Sequence, residues 1–480
     1  MSSSVLPRAS YYRAADPTRR LLPLLGILVV AIIAYMADDW IVLPGFAVLA
    51  IGWKYLAREE GSPVIAAAFT YQWAQVMIAI LYFAFTGRRI VEMDRSYYRP
   101  MVLIGLAAIA AMFAGFFLTA RLPKRIVNSA RRPNLSPTLS QLVILYVTAV
   151  ASSGVLEQLA WSLPFLTQAL LVLSLIRYVF LYVLVGRLTK PRMQIGWLLL
   201  ILLSEVVLGF SGYFANFREP LFVIGVAVLG AMDKRRIANW LLIGVVGLVG
   251  IGAAIAWTAV KPVIRKNFMA EASTTQRVGI AMGLIRPTLL GSTAGFKYQA
   301  DRLVSRMWQV YFPALALVRV PSVVPHENGA LLWAAIENLL TPRLFFPDKP
   351  ELQSDSDKVR KYSGIWVAGR ETGTSYAFGY TGESYVDFGL PWMFVPIFLY
   401  GAGMGLVHRR LRRAIRHPEV RGAVIVVLFW MSMYLFEVSW AIMLGFTITR
   451  IIVLGAGAII VDRLLLPRRR PVARAIAVRA

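Results

Sequence analysis

Residues 240–260 read WLLIGVVGLVGIGAAIAWTAV. Not one charge interrupts the run, and as a helix rising about 1.5 Å per residue it matches the ~30 Å hydrocarbon thickness of a bilayer. Lys234, Arg235 and Arg236 stand just before it. After it comes the one long polar segment of the chain, Arg265 to Phe388. Gly244, Gly247, Gly250 and Gly252 lie within the run, and small residues at such spacing let helices approach closely in lipid. Working outward, apolar runs recur at about 21–36, 40–56, 64–86, 100–120, 142–163, 165–186, 195–212, 220–232, 390–406, 422–436 and 444–461. The run at 220–232 is short for a crossing, so its helix is expected to begin before Pro220.

Composition agrees with a membrane chain. Of 480 residues, 58% are hydrophobic and only 16% charged, with a mean hydropathy of +0.63; a soluble protein carries about 25% charged residues. An outer-membrane barrel would show short alternating strands instead. There are no cysteines, which excludes disulfides, thiolate metal sites and a cysteine nucleophile. The net charge of +26 does not imply nucleic acid. Most Lys and Arg sits in short loops between apolar runs, where the positive-inside rule places it on the cytoplasmic face. The first run has no small-residue cleavage site and is followed by Asp38 and Asp39, so no cleavable signal is expected.

Twelve crossings put every arginine-rich segment on one side. These are the N-terminus (Arg8, Arg13, Arg19, Arg20), the loops around Arg58, 121–132, 187–192, 234–236 and 408–421, and the tail from Arg463 to Arg479. Both termini are then cytoplasmic, and Arg265–Phe388 is extracytoplasmic. The expected organisation is spans one to nine over 1–263, the large outer loop over 264–388, spans ten to twelve over 389–467 and a basic tail over 468–480.

Within the loop, Tyr298–Val318 carries apolar residues at 303, 304, 307, 308, 311 and 312, the period of one helix, with Pro313 kinking or ending it. Asn328–Leu340 reads as a second helix, capped by Asn328 and ended by Thr341-Pro342. Gln353–Arg360 reads as a polar loop. Gly364–Gly389 suits a groove lining: its small residues admit a ligand to the backbone, and aromatics such as Tyr376, Tyr380 and Tyr385 stack on sugar rings.

Several side chains could carry chemistry. Arg218, in the outer turn before Pro220, runs against the charge bias of the chain and fits a phosphate in a bidentate way; a salt bridge to Glu219 or contact with lipid headgroups is the plainer reading. Arg302 and Arg306, four apart on one helix face, repel unless an anion lies between them; a solvated face with Asp301 is the alternative. Arg343 and Lys349 bracket a turn stiffened by Pro342, Pro347 and Pro350, which suits either a preorganised site or plain structure. A catalytic base is available from His326, Glu327, Asp348, Glu383 or Asp387. Glu383 and Asp387 share a face if helical, but Gly382 and Gly389 argue for a turn. Glu157, Arg177, Glu205, Glu437 and Arg450 fall within the apolar runs, where charge either pairs or marks a proton or substrate path. No nucleotide loop, metal-ligand cluster or serine-hydrolase elbow is present, so no metal and no cofactor is expected.

The run Pro342-Arg343-Leu344-Phe345-Phe346-Pro347-Asp348-Lys349-Pro350 resembles a segment of bacterial oligosaccharide repeat-unit polymerases, the Wzy-type O-antigen polymerases. Gly382-Glu383-Ser384-Tyr385-Val386-Asp387-Phe388-Gly389 is similar to the family's Gly-Glu-x-Tyr-x-Asn-Phe-Gly, with Asp387 where the family has Asn. The resemblance implies an all-α polytopic membrane protein of about twelve helices, a GT-C-like bundle in the bacterial inner membrane with one large outer loop holding amphipathic helices. It implies a glycosyltransferase for surface or exopolysaccharide synthesis that moves a growing glycan from undecaprenyl diphosphate to the next lipid-linked unit. The implied partners are polyprenyl-diphosphate-linked oligosaccharides, membrane lipids, and a chain-length regulator and flippase of the same pathway. Arg218, Arg302, Arg306, Arg343 and Lys349 would then hold diphosphates, Tyr376, Tyr380 and Tyr385 sugars, and Glu383, His326 or Asp387 would act catalytically. An O-antigen ligase or a flippase of lipid-linked oligosaccharide is the alternative reading.

Overall fold

The computed structural model describes residues 18–56, 63–90, 94–121, 137–190, 194–211, 218–233, 236–267 and 291–464, apart from 344, 347, 373 and 374, with isolated positions at 279, 283 and 287. The N-terminal arginines 8 and 13, the loops at 57–62 and 122–136, most of 268–290 and the tail beyond 464 lie outside the described residues. The described chain is helical throughout, with no strand.

The apolar runs form α1 (Thr18–Ala37), α2 (Val42–Leu56), α3 (Val64–Thr86), α4 (Arg95–Ala120), α5 (Leu139–Ser162), α6 (Thr167–Ser174), α7 (Ile176–Thr189), α8 (Ile195–Ser211), α9 (Arg218–Ala231) and α10 (Ile237–Asn267). Among the described residues six helical stretches are long and apolar enough to cross a membrane: 64–86, 95–120, 139–162, 167–189, 239–261 and 440–464. Shorter apolar helices occupy 25–37, 42–56, 195–209 and 330–340. α9 begins at Arg218, two residues before Pro220, as the shortness of its run suggested.

The polar segment is built of short helices: α11 (Thr293–Met307), α12 (Tyr311–Arg319), α13 (Ala330–Leu340), α14 (Asp355–Ser363) and α15 (Gly379–Phe388). The chain then returns to the bundle through α16 (Phe394–Ala414), α17 (Pro418–Met433) and α18 (Trp440–Arg450). A π-helical turn (Ile451–Ala456) and α19 (Gly457–Leu464) follow. α3 and α17 form the centre: Val76, Met77, Ala79 and Ile80 are buried, as is every residue from Ala423 to Trp430. Outer helices leave apolar side chains uncovered, among them Ile27, Ile144, Val147, Leu203 and Leu248. That pattern suits a lipid surround, since soluble monomers rarely expose contiguous apolar surface of that extent.

The tightest helix contact joins α4 to α16. A Cβ on Gly401 would lie 1.8 Å from the Met112 carbonyl oxygen, one on Gly405 2.4 Å from that of Phe116, and one on Gly115 2.3 Å from that of Phe398. The Thr119 hydroxyl donates across the interface to the Ala402 carbonyl at 2.7 Å. The small-residue packing expected of 240–260 is therefore found elsewhere. Among the described residues nothing lies within 4 Å of a Cβ built on Gly244, Gly247 or Gly252, and Gly250 meets only a Leu221 methyl at 3.5 Å.

Polar side chains of α3 tie the outer segment to the bundle. Gln72 Nε2 donates to the Met433 carbonyl at 2.6 Å, and its Oε1 accepts from the Tyr380 hydroxyl at 2.7 Å. Gln75 Oε1 accepts from the Phe436 amide at 2.8 Å. Trp308 Nε1 donates to the Val76 carbonyl at 3.1 Å and the Gln309 amide to that of Gln75 at 3.2 Å. Those bonds explain the first departure from expectation. The single helix read over 298–318 is two, because the chain opens at 308–310 to bond α3. Pro313 falls in the first turn of α12, where its missing N–H has no partner to lose.

Three further segments differ from their sequence reading. The second loop helix begins at Ala330, since Asn328 (φ 51°) and Gly329 (φ 89°) are left-handed and cannot be helical. The polar stretch at 353–360 is mostly helix: Ser354 Oγ accepts from the Asp357 amide at 3.1 Å, with Asp355 and Asp357 in the first turn and Arg360 and Lys361 in the last. Those charges oppose the helix dipole at each end. Finally, 379–388 is a helix and not a turn, buried along nearly its whole length.

Candidate functional site

α15 is the hub of the outer segment. It starts at Gly379 with φ 82°, and a Cβ there would meet the Phe436 carbonyl oxygen at 2.9 Å, so only glycine lets α15 press against the turn between α17 and α18. Being helical, it does put Glu383 and Asp387 one turn apart. Each carboxylate, however, is fully engaged by structure. Glu383 Oε1 takes the Lys358 ammonium at 2.5 Å and Oε2 the Trp440 amide at 2.7 Å, so it ties α14, α15 and the start of α18 together. Asp355 lies 3.4 Å from the same ammonium. Burial works against the Lys358 charge, but Glu383 and then Asp355 outweigh it, and the lysine is held above its usual range.

Asp387 accepts from the amides of Leu331 at 3.0 Å and Leu332 at 2.8 Å, the exposed N-terminal donors of α13. That contact gives a physical role to the Asp387 carboxylate, whose two oxygens each take one amide. Burial raises its pKa against those two hydrogen bonds.

The three tyrosines divide. Tyr376 is exposed. Tyr380 is fully buried with its hydroxyl on Gln72, and Tyr385 is buried with its hydroxyl donating to the Val320 carbonyl at 2.8 Å. Packing, not an open groove, is what those two rings serve.

His326 is half-buried beside the C-terminal end of α15. Its Nδ1 lies 3.1 Å from the Val386 carbonyl oxygen, and a carbonyl only accepts, so Nδ1 is the donor there. Glu327 accepts from Lys361 Nζ at 2.6 Å and Tyr362 at 2.9 Å, and the lysine's hydrogen bond holds its pKa below the ordinary glutamate value. Asp348 is exposed in the turn after α13.

The candidate cations fall into two groups. Arg343 and Lys349 stand together past the C-terminal end of α13, where Lys349 Nζ donates to the Asn338 carbonyl at 2.9 Å. Burial and then the charge of Arg343 lower the lysine's pKa. Arg302 and Arg306 are one turn apart and exposed on α11, with Arg302 5.8 Å from the Tyr298 ring centre. Asp301 does not neutralise them: its carboxylate is held by Arg88 and by the Tyr82 hydroxyl at 2.6 Å.

Arg306 is instead linked to Arg218 only through the field: the charge of both reaches Glu437. Arg218 donates to Glu219 at 3.2 Å and to the Tyr434 hydroxyl at 2.9 Å, and its guanidinium lies 5.1 Å from the Tyr434 ring centre. The salt bridge to Glu219 anticipated from sequence is therefore present. Glu437, half-buried in the turn between α17 and α18, feels the positive charge of both Arg218 and Arg306. Burial is the larger effect and pushes its pKa up, with the two arginines opposing. Sequence reading placed Glu437 inside an apolar run. The signal that would have moved it out is Ser439 ahead of Trp440, the residue type that caps a new helix.

The site thus brings Arg218, Glu219 and Tyr434 together at the C-terminal end of α17, with Glu437 in the adjoining turn. His326 lies at the other end of α15, which at ten residues spans about 15 Å. Chemically it offers a carboxylate whose proton affinity is raised by burial, under the charge of two arginines. Comparison with known proteins finds no family model, no curated protein and no solved structure that matches the chain.

Proposed function

We propose that this chain is a multi-pass membrane glycosyltransferase of the bacterial inner membrane. In this reading it polymerises undecaprenyl-diphosphate-linked oligosaccharide repeat units for surface or exopolysaccharide synthesis. The topology that goes with it has twelve crossings, both termini cytoplasmic and the segment from α11 to α15 on the periplasmic face. The observation that supports it best is Arg218, bound to Glu219 and the Tyr434 hydroxyl, with Glu437 in the adjoining turn under the charge of both Arg218 and Arg306. Transfer of a glycan from a lipid diphosphate requires two things at one place. Cations must hold the departing diphosphate as its charge develops, and a base must take the proton of the acceptor hydroxyl.

In the proposed step Glu437 takes that proton. The acceptor oxygen forms the new glycosidic bond as the bond to the diphosphate breaks, and the freed diphosphate stays beside Arg218 and Arg306. Arg302, exposed one turn away, extends the positive surface, and Tyr376 is the one of the three tyrosines open to a sugar. Arg343 and Lys349 serve the second lipid-linked unit. Glu383 and Asp387 act as positioning residues, holding α14, α15, α13 and α18 in register. The resemblance in 342–350 and 382–389 points to the same reaction.

The test is direct. Purified protein in lipid is given undecaprenyl-diphosphate-linked repeat units, and the products are separated by length. The reading predicts dimers and longer glycans with release of undecaprenyl diphosphate, both lost in Arg218→Ala and Arg306→Ala. Transfer of a whole glycan only to lipid A core would mark a ligase. Movement of units across the bilayer without lengthening would mark a flippase.

A further inference from the structure

Below that outer cluster, between α5, α6, α7 and α18, lies a cavity of about 390 Å³. It is far larger than the ~10–15 Å³ a single water needs. Its outer wall includes Tyr434 and Val438 of the turn after α17, and it reaches inward to Arg177 and Arg450. Arg177 lies about ten residues below the α5–α6 turn and Arg450 ten below the start of α18, so both sit about 15 Å down their helices. Two cations at that depth of a membrane bundle are costly unless each has an anion.

Neither has one in contact. Among the described residues, no carboxylate lies within 4 Å of either guanidinium. Arg450 donates through Nη1 to the Met431 carbonyl at 2.8 Å and to Ser432 Oγ at 3.5 Å, while its Nε is enclosed with no acceptor at all. Arg177 donates to the Tyr178 hydroxyl at 2.7 Å. Of the carboxylates nearby, Glu219 is engaged by Arg218 and Tyr434, and Glu205 lies outside the cavity wall, bonded to Tyr146. Glu157 is on the wall but out of ion-pair reach of Arg177. Arg450 in particular keeps donors that the protein does not fill.

Both arginines also stand at breaks in their helices. The helix is interrupted at Leu175, two residues before Arg177, and a π-helical turn starts immediately after Arg450. Such turns recur at ligand sites, because they re-aim a side chain out of the regular helical pattern. The rim supplies the other half of the chemistry. Trp161, near the end of α5, and Ile442, near the start of α18, line the cavity and are 64% and 45% exposed, so that part of its rim is apolar and uncovered.

We infer that this cavity binds the phosphate of an anionic lipid, with the phosphate between Arg177 and Arg450 and the hydrocarbon chain leaving past Trp161 and Ile442. A forked guanidinium matches phosphate oxygens in a bidentate way. The site requires nothing of the reaction proposed above, though its wall shares Glu219 and Tyr434 with the cluster around Arg218.

The experiment uses the full chain in nanodiscs of zwitterionic phosphatidylcholine, read by native mass spectrometry. Undecaprenyl phosphate, phosphatidylglycerol, undecaprenol and inorganic phosphate are added in separate arms. One phosphate-bearing lipid is expected to bind per chain, and which of the two binds identifies the source. Arg450→Gln and Arg177→Gln are each expected to weaken it at least tenfold, and undecaprenol is expected not to bind. Since an arginine variant can fail to fold, Ile442→Trp keeps both cations and narrows the mouth; it too should weaken lipid binding at least tenfold, at an unchanged melting temperature. Equal binding by wild type and all three variants would overturn the assignment. So would binding of undecaprenol as tight as that of undecaprenyl phosphate, or capture of inorganic phosphate with neither lipid bound.

Discussion

Three carboxylates in and beside α15 have different work, and their surroundings decide which. Glu383 has a lysine on one oxygen and a backbone amide on the other. Lys358→Met would leave Glu383 buried without its cation, at a cost of about 3–5 kcal/mol; a large fall in the melting temperature of the detergent-solubilised protein checks this. Asp387 caps α13, so Asp387→Ala should cost about 1 kcal/mol, the usual worth of a helix cap, while Asp387→Asn keeps one acceptor and should cost less. Equal melting temperatures for the two variants would contradict that role. Among the described residues Glu437 has neither kind of tie, and it feels the charge of two arginines. As a base it works only ionised, and burial raises its pKa. Activity should therefore fall, as pH is lowered, at a higher pH than an exposed glutamate would give. Glu437→Gln should lower the rate about 10²–10⁴-fold and abolish that acid limb of the pH profile.

At the scale of elements, the runs of apolar residues located the helices, and six of the described stretches have the length and apolarity to cross a bilayer. The short outer helices were harder to read, since tertiary contacts set their ends. α11 and α12 separate where α3 offers the carbonyls of Gln75 and Val76. α13 starts where Asp387, more than fifty residues away in sequence, meets its free amides. No local pattern contains either fact. The same holds for glycine: the series in 240–260 looked like the packing seam, but the close approach is between α4 and α16. With 1.8 Å between its hypothetical Cβ and the Met112 carbonyl, Gly401→Ala should force α4 and α16 apart and sharply reduce the yield of monodisperse protein. Gly244→Ala, with open space around it, should leave yield unchanged.

For the molecule as a whole, charge bias and hydropathy were enough to make it a helical membrane protein with its polar segment gathered after α10. The candidate site was legible only in pieces. Arg218 and the pair Arg302/Arg306 stood out by their residue type and position, but the carboxylate that feels Arg218 and Arg306 was hidden at the junction of two apolar runs. Its place depends on α17 ending at Met433, where Gln72 takes the Met433 carbonyl, and that bond joins residues 361 positions apart. The central claim is lengthening of a lipid-linked glycan, and the most direct measurement is the size distribution of surface polysaccharide in cells whose gene for this chain is deleted. The prediction is that single repeat units remain and long chains vanish, with chains restored by the wild-type protein but not by Glu437→Gln or Arg218→Ala at equal membrane abundance. Long chains persisting in the deletion, or loss of single units along with them, would contradict it.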